Sequence, residues 1–156
     1  MESRLSFDRL PTSVLRATQR MPRLAYALGL GPLIGRAILL LTTTGRKTGQ
    51  PRVTPLQYEV VDGLIAIGSA RGTRADWYRN LSADPHVRVR VKNRSFDGIA
   101  EATTDVERVT DYLELRLQRH PHMIGAMLRA EGLPPNPSRA TLRQYAARLA
   151  LVVIHP

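Results

Sequence analysis

The chain has 156 residues, no cysteine, and 23 basic against 13 acidic residues, which gives a formal net charge of +10. This length fits one compact domain over residues 1–156, and the lack of cysteine excludes a disulfide framework, a thiol nucleophile and a thiolate metal site. The positive charge favours a partner that carries phosphates or carboxylates, which could be a nucleic acid, a membrane surface or an anionic cofactor.

Residues 1–36 are predicted to form an N-terminal helical segment. Between residues 12 and 28, apolar side chains recur every three to four positions, with arginines on another side, as in an amphipathic helix. The favoured interpretation is a helix packed on the domain, and the alternative is peripheral contact with an anionic membrane. The lack of cysteine favours a cytoplasmic location, and residues 1–9 are charged and show no secretory signal.

The next part, residues 37–102, is predicted to form the core of a barrel. Asp62 and Gly63 favour a two-residue hairpin because both tolerate positive φ, and Asn93-Arg94 is predicted to be a second turn. Residues 45–50 are predicted to form a tight basic turn. Short apolar runs between turn residues predict strands over 37–43, 52–61, 64–68, 86–92 and 95–102.

Helices are predicted over residues 76–81 and within a C-terminal helical segment, 103–150. Thr104 followed by Glu107 resembles a capping box that opens one helix. Further helices are predicted over 122–130 and 138–149, and residues 151–156 are predicted to form a closing strand. About six mainly antiparallel strands with helices at both ends indicate an α+β fold with an antiparallel barrel.

The segment 42–52 combines two glycines, several hydroxyls and three cations in one turn. Glycines let backbone N–H groups approach a phosphate, and Arg46, Lys47 and Arg52 can supply charge-assisted hydrogen bonds. The segment therefore indicates an anion-binding hairpin. From these residues alone, an ordinary solvated hairpin tip is about equally good as an interpretation.

This segment resembles the signature of the deazaflavin-dependent nitroreductase family, a threonine run followed by Gly-Arg-Lys-Thr-Gly and Pro-Arg. The resemblance continues through residues 53–56, the loop 68–72, the helix 76–81 and Asp84-Pro85. It implies an FMN-binding-like split β-barrel that holds coenzyme F420 with its phosphate and polyglutamate tail in a basic groove. It also implies hydride transfer to a quinone, an activated alkene or a nitroaromatic.

The resemblance also implies a set of cofactor-binding residues, with no metal. The residues expected at the anionic tail are Arg46, Lys47, Thr48, Gly49, Gln50 and Arg52. The residues expected beside the deazaflavin ring or its ribityl chain are Thr54, Pro55, Gly68, Ser69, Trp77 and Asn80, with Arg71 as a further addition.

The substrate and the proton donor are not determined by the sequence. Tyr58, Tyr78 and Tyr145 carry suitable hydroxyls, yet each is more typical of a packing residue. The chain has Gln57 where the nitroreducing branch of the family has a tyrosine, so nitroimidazole reduction is not predicted. Four residues could line an apolar pocket, although this spacing is usual for core: Met123, Ile124, Met127 and Leu128.

Two alternative functions are weighed at this point. The same fold could bind FMN or another ligand, and a basic strand face with Arg88, Arg90 and Lys92 could follow a nucleic-acid backbone. Only 5% of the residues are aromatic, which disfavours base stacking, so no nucleic-acid partner is expected.

His120 and His122 have no third ligand and do not indicate a metal site. A monomer and a homodimer are both compatible with the sequence.

Overall fold

The structure is a computed structural model that describes residues 38–156, and the predicted N-terminal helix lies outside these residues. The strands are β1 (Ile38–Thr44), β2 (Pro51–Gln57), β3 (Glu59–Val61), β4 (Leu64–Ser69), β5 (His86–Val91), β6 (Arg94–Thr103) and β7 (Ala150–His155). The helices are α1 (Asp76–Ala83), α2 (Val106–Arg119), α3 (Pro121–Ala130) and α4 (Arg139–Ala146), and a 3-10 turn spans Gly72–Arg74.

The seven strands form one antiparallel sheet in the order β2-β1-β5-β6-β7-β4-β3. Strands β2 and β3 lie at opposite edges, yet only Tyr58 separates them in the chain. The two edges must therefore meet, and the sheet curls into a split barrel. The predicted α+β split barrel is confirmed. The long strand predicted over 52–61 is divided at Tyr58, which raises the count from about six strands to seven.

The sheet has an apolar face on each side. The barrel interior is filled by alternate residues of the strands, such as Leu41, Val89 and Val152, and α1 contributes Tyr78 and Leu81. On the other face, α2 and α4 cover β4 and β7 through a second buried cluster: Ala66, Val109, Tyr112, Leu113, Ala146 and Leu151. The period-two pattern predicted for β5 is confirmed, since its valines point inward and its basic residues outward.

Two local predictions were wrong. Helix α2 is capped by Asp105, whose carboxylate accepts a hydrogen bond from the Arg108 N–H, and Thr104 with Glu107 forms no capping box. Either residue suits an N-cap by type, so only the backbone position distinguishes them. The second hairpin turns at Lys92-Asn93 instead of Asn93-Arg94, since Val91 pairs with Arg94 and Lys92 has a φ of 53°.

Replacing Gly72 by alanine is expected to lower the free energy of unfolding by about 3 kcal/mol or more. Gly72 has a φ of +59°, and an added Cβ would lie 2.5 Å from the Arg148 carbonyl oxygen, so backbone strain and a clash combine. Denaturant unfolding measures the loss. Gly132→Ala is the matched control, because Gly132 has a φ of +89° but open space around its Cβ position. If the free energy of unfolding falls equally in the two variants, the added Cβ at residue 72 does not clash with Arg148.

Candidate functional site

The hairpin between β1 and β2 is closed by hydrogen bonds of its own. The Gly45 N–H donates to the Gln50 carbonyl at 2.7 Å, and the Gly49 N–H donates to the Gly45 carbonyl at 2.7 Å. The Gln50 N–H donates to the Thr48 hydroxyl oxygen at 3.2 Å. Gly49 has a φ of 69°, a conformation that side chains disfavour. The sequence 45–50 therefore specifies a fixed turn, which confirms the predicted tight turn.

Arg46 joins this hairpin to α1. Its Nη1 donates to Oδ1 of Asn80 at 2.8 Å, its Nη2 lies 3.2 Å from Oδ1 of Asp76, and its backbone N–H also donates to Asn80. The Asn80 Nδ2 in turn donates to the Thr43 hydroxyl of β1, and Asn80 is only 5% exposed. These contacts join the turn, the first strand and α1 into one unit. Sequence reasoning placed Arg46 and Asn80 in a site but missed their contact with each other.

Asn80→Ala is expected to lower the free energy of unfolding by about 1–3 kcal/mol, because the buried Thr43 hydroxyl and two Arg46 donors lose their partner. Thermal or urea unfolding measures it. Arg79→Ala, at the exposed neighbouring position, serves as the control, since its side chain makes one exposed contact with the Thr73 carbonyl. If the free energy of unfolding falls no more in Asn80→Ala than in Arg79→Ala, the contacts of Asn80 do not stabilise the hairpin.

The remaining tip residues are exposed: Lys47, Thr48, Gly49, Gln50 and Arg52. Within residues 38–156, neither Lys47 nor Arg52 makes an ion pair, so their charges are uncompensated there. A groove of about 550 Å³ runs beside the hairpin base and includes Gly49 and Arg88 in its lining. Fixed turn geometry with uncompensated cations fits a phosphate or carboxylate ligand.

Strand register determines which way the other predicted site residues face. Arg52 pairs with Thr43 and Thr54 with Leu41, and cross-strand partners share a face, so both lie on the concave side of the sheet. Trp77 of α1 packs against the same interior cluster, half-buried. This side of the barrel is where β2 approaches β4. The structure thus brings Arg52, Thr54, Trp77 and Asn80 to one side of the split.

Some of the predicted site residues do not present their side chains on the concave side of the split. Pro55 is buried and, by strand alternation, points away from the concave face. The Ser69 hydroxyl is buried and donates to the Gly72 carbonyl at 2.7 Å, so it closes its own loop. Gly68 faces the helices, since a Cβ there would lie 3.0 Å from the Tyr112 ring. Arg71 is exposed at the start of the 3-10 turn.

Among residues 38–156, three tyrosines have a raised pKa. Burial raises the pKa of Tyr78, and burial followed by the charge of Glu131 raises that of Tyr145. Burial raises the pKa of Tyr112 to about 12, and its hydroxyl donates to the Ala66 carbonyl at 3.2 Å. A tyrosine with a raised pKa keeps its proton at neutral pH, so none of the three is a base.

Sequence reasoning missed a charge cluster around the buried Glu59 at the β2–β3 junction. The Glu59 side chain, 8% exposed, contacts Arg116 at 3.3 Å, Arg119 at 3.3 Å and His120 at 2.9 Å. Arg116 also donates to Oε1 of Gln57 at 2.9 Å. A glutamate in a short strand after a tyrosine gives no sign of burial, and its partners lie more than fifty residues later. We name this group of Glu59, Arg116, Arg119 and His120 the Glu59 cluster.

An apolar cavity of about 280 Å³ lies between β4 and helices α2, α3 and α4. Three of the four residues suggested by the sequence line it, namely Ile124, Met127 and Leu128. Met123 is instead packed in a buried cluster with Leu142. Within residues 38–156 no group of three potential ligands could hold a metal ion, and no helix has the length and apolarity needed to cross a membrane.

Residues 14–123 match the model of the F420H(2)-dependent quinone reductase family. The chain belongs to this family. The hairpin, the β4 loop and α1 all fall inside the matched range. The description of the family names F420H(2), the reduced form of the coenzyme implied by the sequence resemblance.

Similarity to individual members of the F420H(2)-dependent quinone reductase family is local. An F420H(2)-dependent quinone reductase of Mycobacterium tuberculosis is 43% identical over 61 residues, which cover 37% of this chain and 41% of that protein. The matched stretch thus spans about two fifths of the curated relative.

Two solved structures share the fold. A conserved hypothetical protein of Mycobacterium tuberculosis aligns with a TM-score of 0.57 and 20% identity over 83% of this chain and 78% of that one. A structure described as an F420-H2 dependent reductase aligns with a TM-score of 0.52 and 24% identity over 77% and 95%. These alignments agree with the split barrel of the family.

Proposed function

We propose that this protein is an F420H2-dependent reductase that passes a hydride from the deazaflavin coenzyme to a small oxidised acceptor. Quinones are the first candidate class, with activated alkenes and nitroaromatics after them. The observation that carries the proposal is the exposed, uncompensated charge of Lys47 and Arg52 on a turn that Arg46 fixes against α1. Family membership supports the choice of coenzyme.

In this proposal the exposed tip residues hold the negatively charged part of the coenzyme. Lys47 and Arg52 donate charge-assisted hydrogen bonds to its phosphate and carboxylates, and Gly49 lets the backbone approach closely. Thr48 and Gln50 add neutral contacts. Arg46 acts mainly as a positioning residue, because Asn80 and Asp76 already occupy its two terminal nitrogens.

The ring of the coenzyme is proposed to lie on the concave side of the split, bordered by Thr54, Trp77 and Asn80. The loop with Gly68, Ser69 and Arg71 bounds the other side, and Pro55 supports β2 from behind. When bound, the deazaflavin supplies the hydride, and this chemistry belongs to the coenzyme. The protein orients the ring, excludes water from one face and leaves space for the acceptor to stack.

The test is turnover by the purified full chain. F420H2 with menadione as acceptor is expected to give oxidised F420, followed by its absorbance, and reduced FMN is expected to give no enzyme-dependent rate. Equilibrium titration with F420, FMN and single-stranded DNA over a salt series separates the alternatives. Tighter binding of FMN than of F420, or binding of DNA alone, would exclude the proposal.

Peripheral membrane contact through residues 12–28, a cytoplasmic location and a monomeric or homodimeric state stay predictions. Flotation with anionic vesicles measures the first of these, and analytical ultracentrifugation measures the oligomeric state.

A further inference from the structure

The apolar cavity between β4 and the helices is bounded by features that suit a small ligand. Ile124, Met127 and Leu128 of α3 form one wall, and the Tyr112 ring of α2 forms another. At Gly68 the strand contributes no side chain, and a Cβ there would lie 3.0 Å from Tyr112. The volume of about 280 Å³ is close to the lower end of the roughly 300–1,000 Å³ usual for ligand pockets.

One end of this cavity carries a buried cation. Arg116 is 9% exposed, donates through Nε to Glu59 and through Nη2 to Gln57, and has its guanidinium 6.0 Å from the centre of the Tyr112 ring. Within residues 38–156 its Nη1 has no hydrogen-bond partner. Every fully buried side-chain nitrogen of these residues does have a partner. Arg116 is a lining residue of the cavity, and Nη1 is the nitrogen of its guanidinium for which residues 38–156 supply no partner.

The charge balance of the Glu59 cluster favours an anion. One carboxylate faces two guanidiniums, so at least one positive charge is in excess even with His120 neutral. Arg119 is 40% exposed and therefore solvated, so the buried guanidinium beside the cavity is that of Arg116, and an anion that reaches it gains a charge-assisted contact. Glu131, the acidic residue in the cavity lining, would repel an anion near its own carboxylate and so favours the Arg116 end.

We propose that this cavity is a binding site for a small monocarboxylate with an apolar, aromatic or branched body. The carboxylate accepts a hydrogen bond from Nη1 of Arg116, and the apolar body packs against Ile124, Met127 and Tyr112. Gly68 and Ser69 of the cavity wall belong to the loop proposed to bound the coenzyme ring. The carboxylate contact does not rest on the reductase proposal, because Arg116, Ile124 and Met127 belong to neither the basic hairpin nor the concave face of the split.

The test is equilibrium binding of 2-naphthoate to the full chain without F420, measured by titration calorimetry. Its neutral relative, 2-naphthalenemethanol, has the same ring system and is expected to bind at least about tenfold more weakly, the change that one charge-assisted hydrogen bond produces. Equal affinity for the two probes, or no binding of either, would overturn the proposal. Because F420 is absent, such a failure leaves the proposed reductase function untouched.

Two variants locate the site. Met127→Trp fills the cavity and is expected to reduce 2-naphthoate affinity about tenfold or more. Ala126→Trp is the matched control, since Ala126 precedes it on α3 but does not line the cavity. Undiminished binding in Met127→Trp would overturn the site.

The anion contact has its own variant, Glu59→Gln with Arg116→Gln, which removes one charge of each sign and keeps hydrogen-bonding groups. It is expected to bind the carboxylate no better than the alcohol, and a retained preference for the carboxylate would overturn the role of Arg116. If this double variant does not fold, the probe comparison and the Met127 pair decide the question.

Discussion

A variant with Lys47→Ala and Arg52→Ala is expected to bind F420 roughly 100-fold or more weakly than the native protein, because each charge-assisted hydrogen bond contributes about 1.5–3 kcal/mol. Both side chains are exposed and make no ion pair within residues 38–156, so their removal leaves no unpaired partner in the fold. The loss should appear in F420 affinity, with unfolding nearly unchanged. Fluorescence titration of F420 at fixed salt measures it.

The control for this prediction removes equal charge elsewhere. Arg90 and Arg94 are also exposed, on β5 and at the start of β6, and Arg90→Ala with Arg94→Ala lowers the net charge by the same two units. Screening at physiological salt confines long-range effects to about 8 Å, so this variant should change F420 affinity by no more than about twofold. Equal losses in the two double variants would mean that net charge alone attracts the coenzyme.

Glu59→Ala is expected to have the largest effect on stability, a loss of about 3–5 kcal/mol in the free energy of unfolding. Removing this 8% exposed carboxylate leaves Arg116 and Arg119 close together without their shared partner. For a chain of this size the loss corresponds to a fall in Tm of roughly 10 °C. Calorimetry or circular dichroism measures the change.

Glu131→Ala provides the comparison, because Glu131 is exposed and has no ion pair within residues 38–156. The free energy of unfolding should fall by no more than about 0.5 kcal/mol in Glu131→Ala. Glu59→Gln should fall between the two, since the amide keeps a hydrogen-bond acceptor but loses the charge. If Glu59→Ala melts at the same temperature as Glu131→Ala, the cluster does not stabilise the junction of β2 and β3.

The basic hairpin illustrates how much of the site the sequence reveals. Two glycines, hydroxyls and cations within residues 42–52 determine the turn locally, because positive φ and short-range hydrogen bonds depend on neighbouring residues. The partner of Arg46 is different. Asn80 lies 34 residues later, and the contact forms only when α1 closes the barrel. The family resemblance suggested both residues for the candidate site, but only the fold joins them.

The sequence by itself determined the elements and the class of this protein: the inward valines of β5, the Asp62-Gly63 hairpin, the helical C-terminal segment and the family signature are all local patterns. Tertiary structure alone decided that β2 and β3 lie at opposite edges, that Glu59 is buried beside two arginines and a histidine, and that Gly68 faces a cavity. The physical reason is the distance along the chain over which each effect acts. Periodicity and turn preference depend on residues only a few positions apart. Burial and ion pairing depend instead on which distant segments the curled sheet brings together.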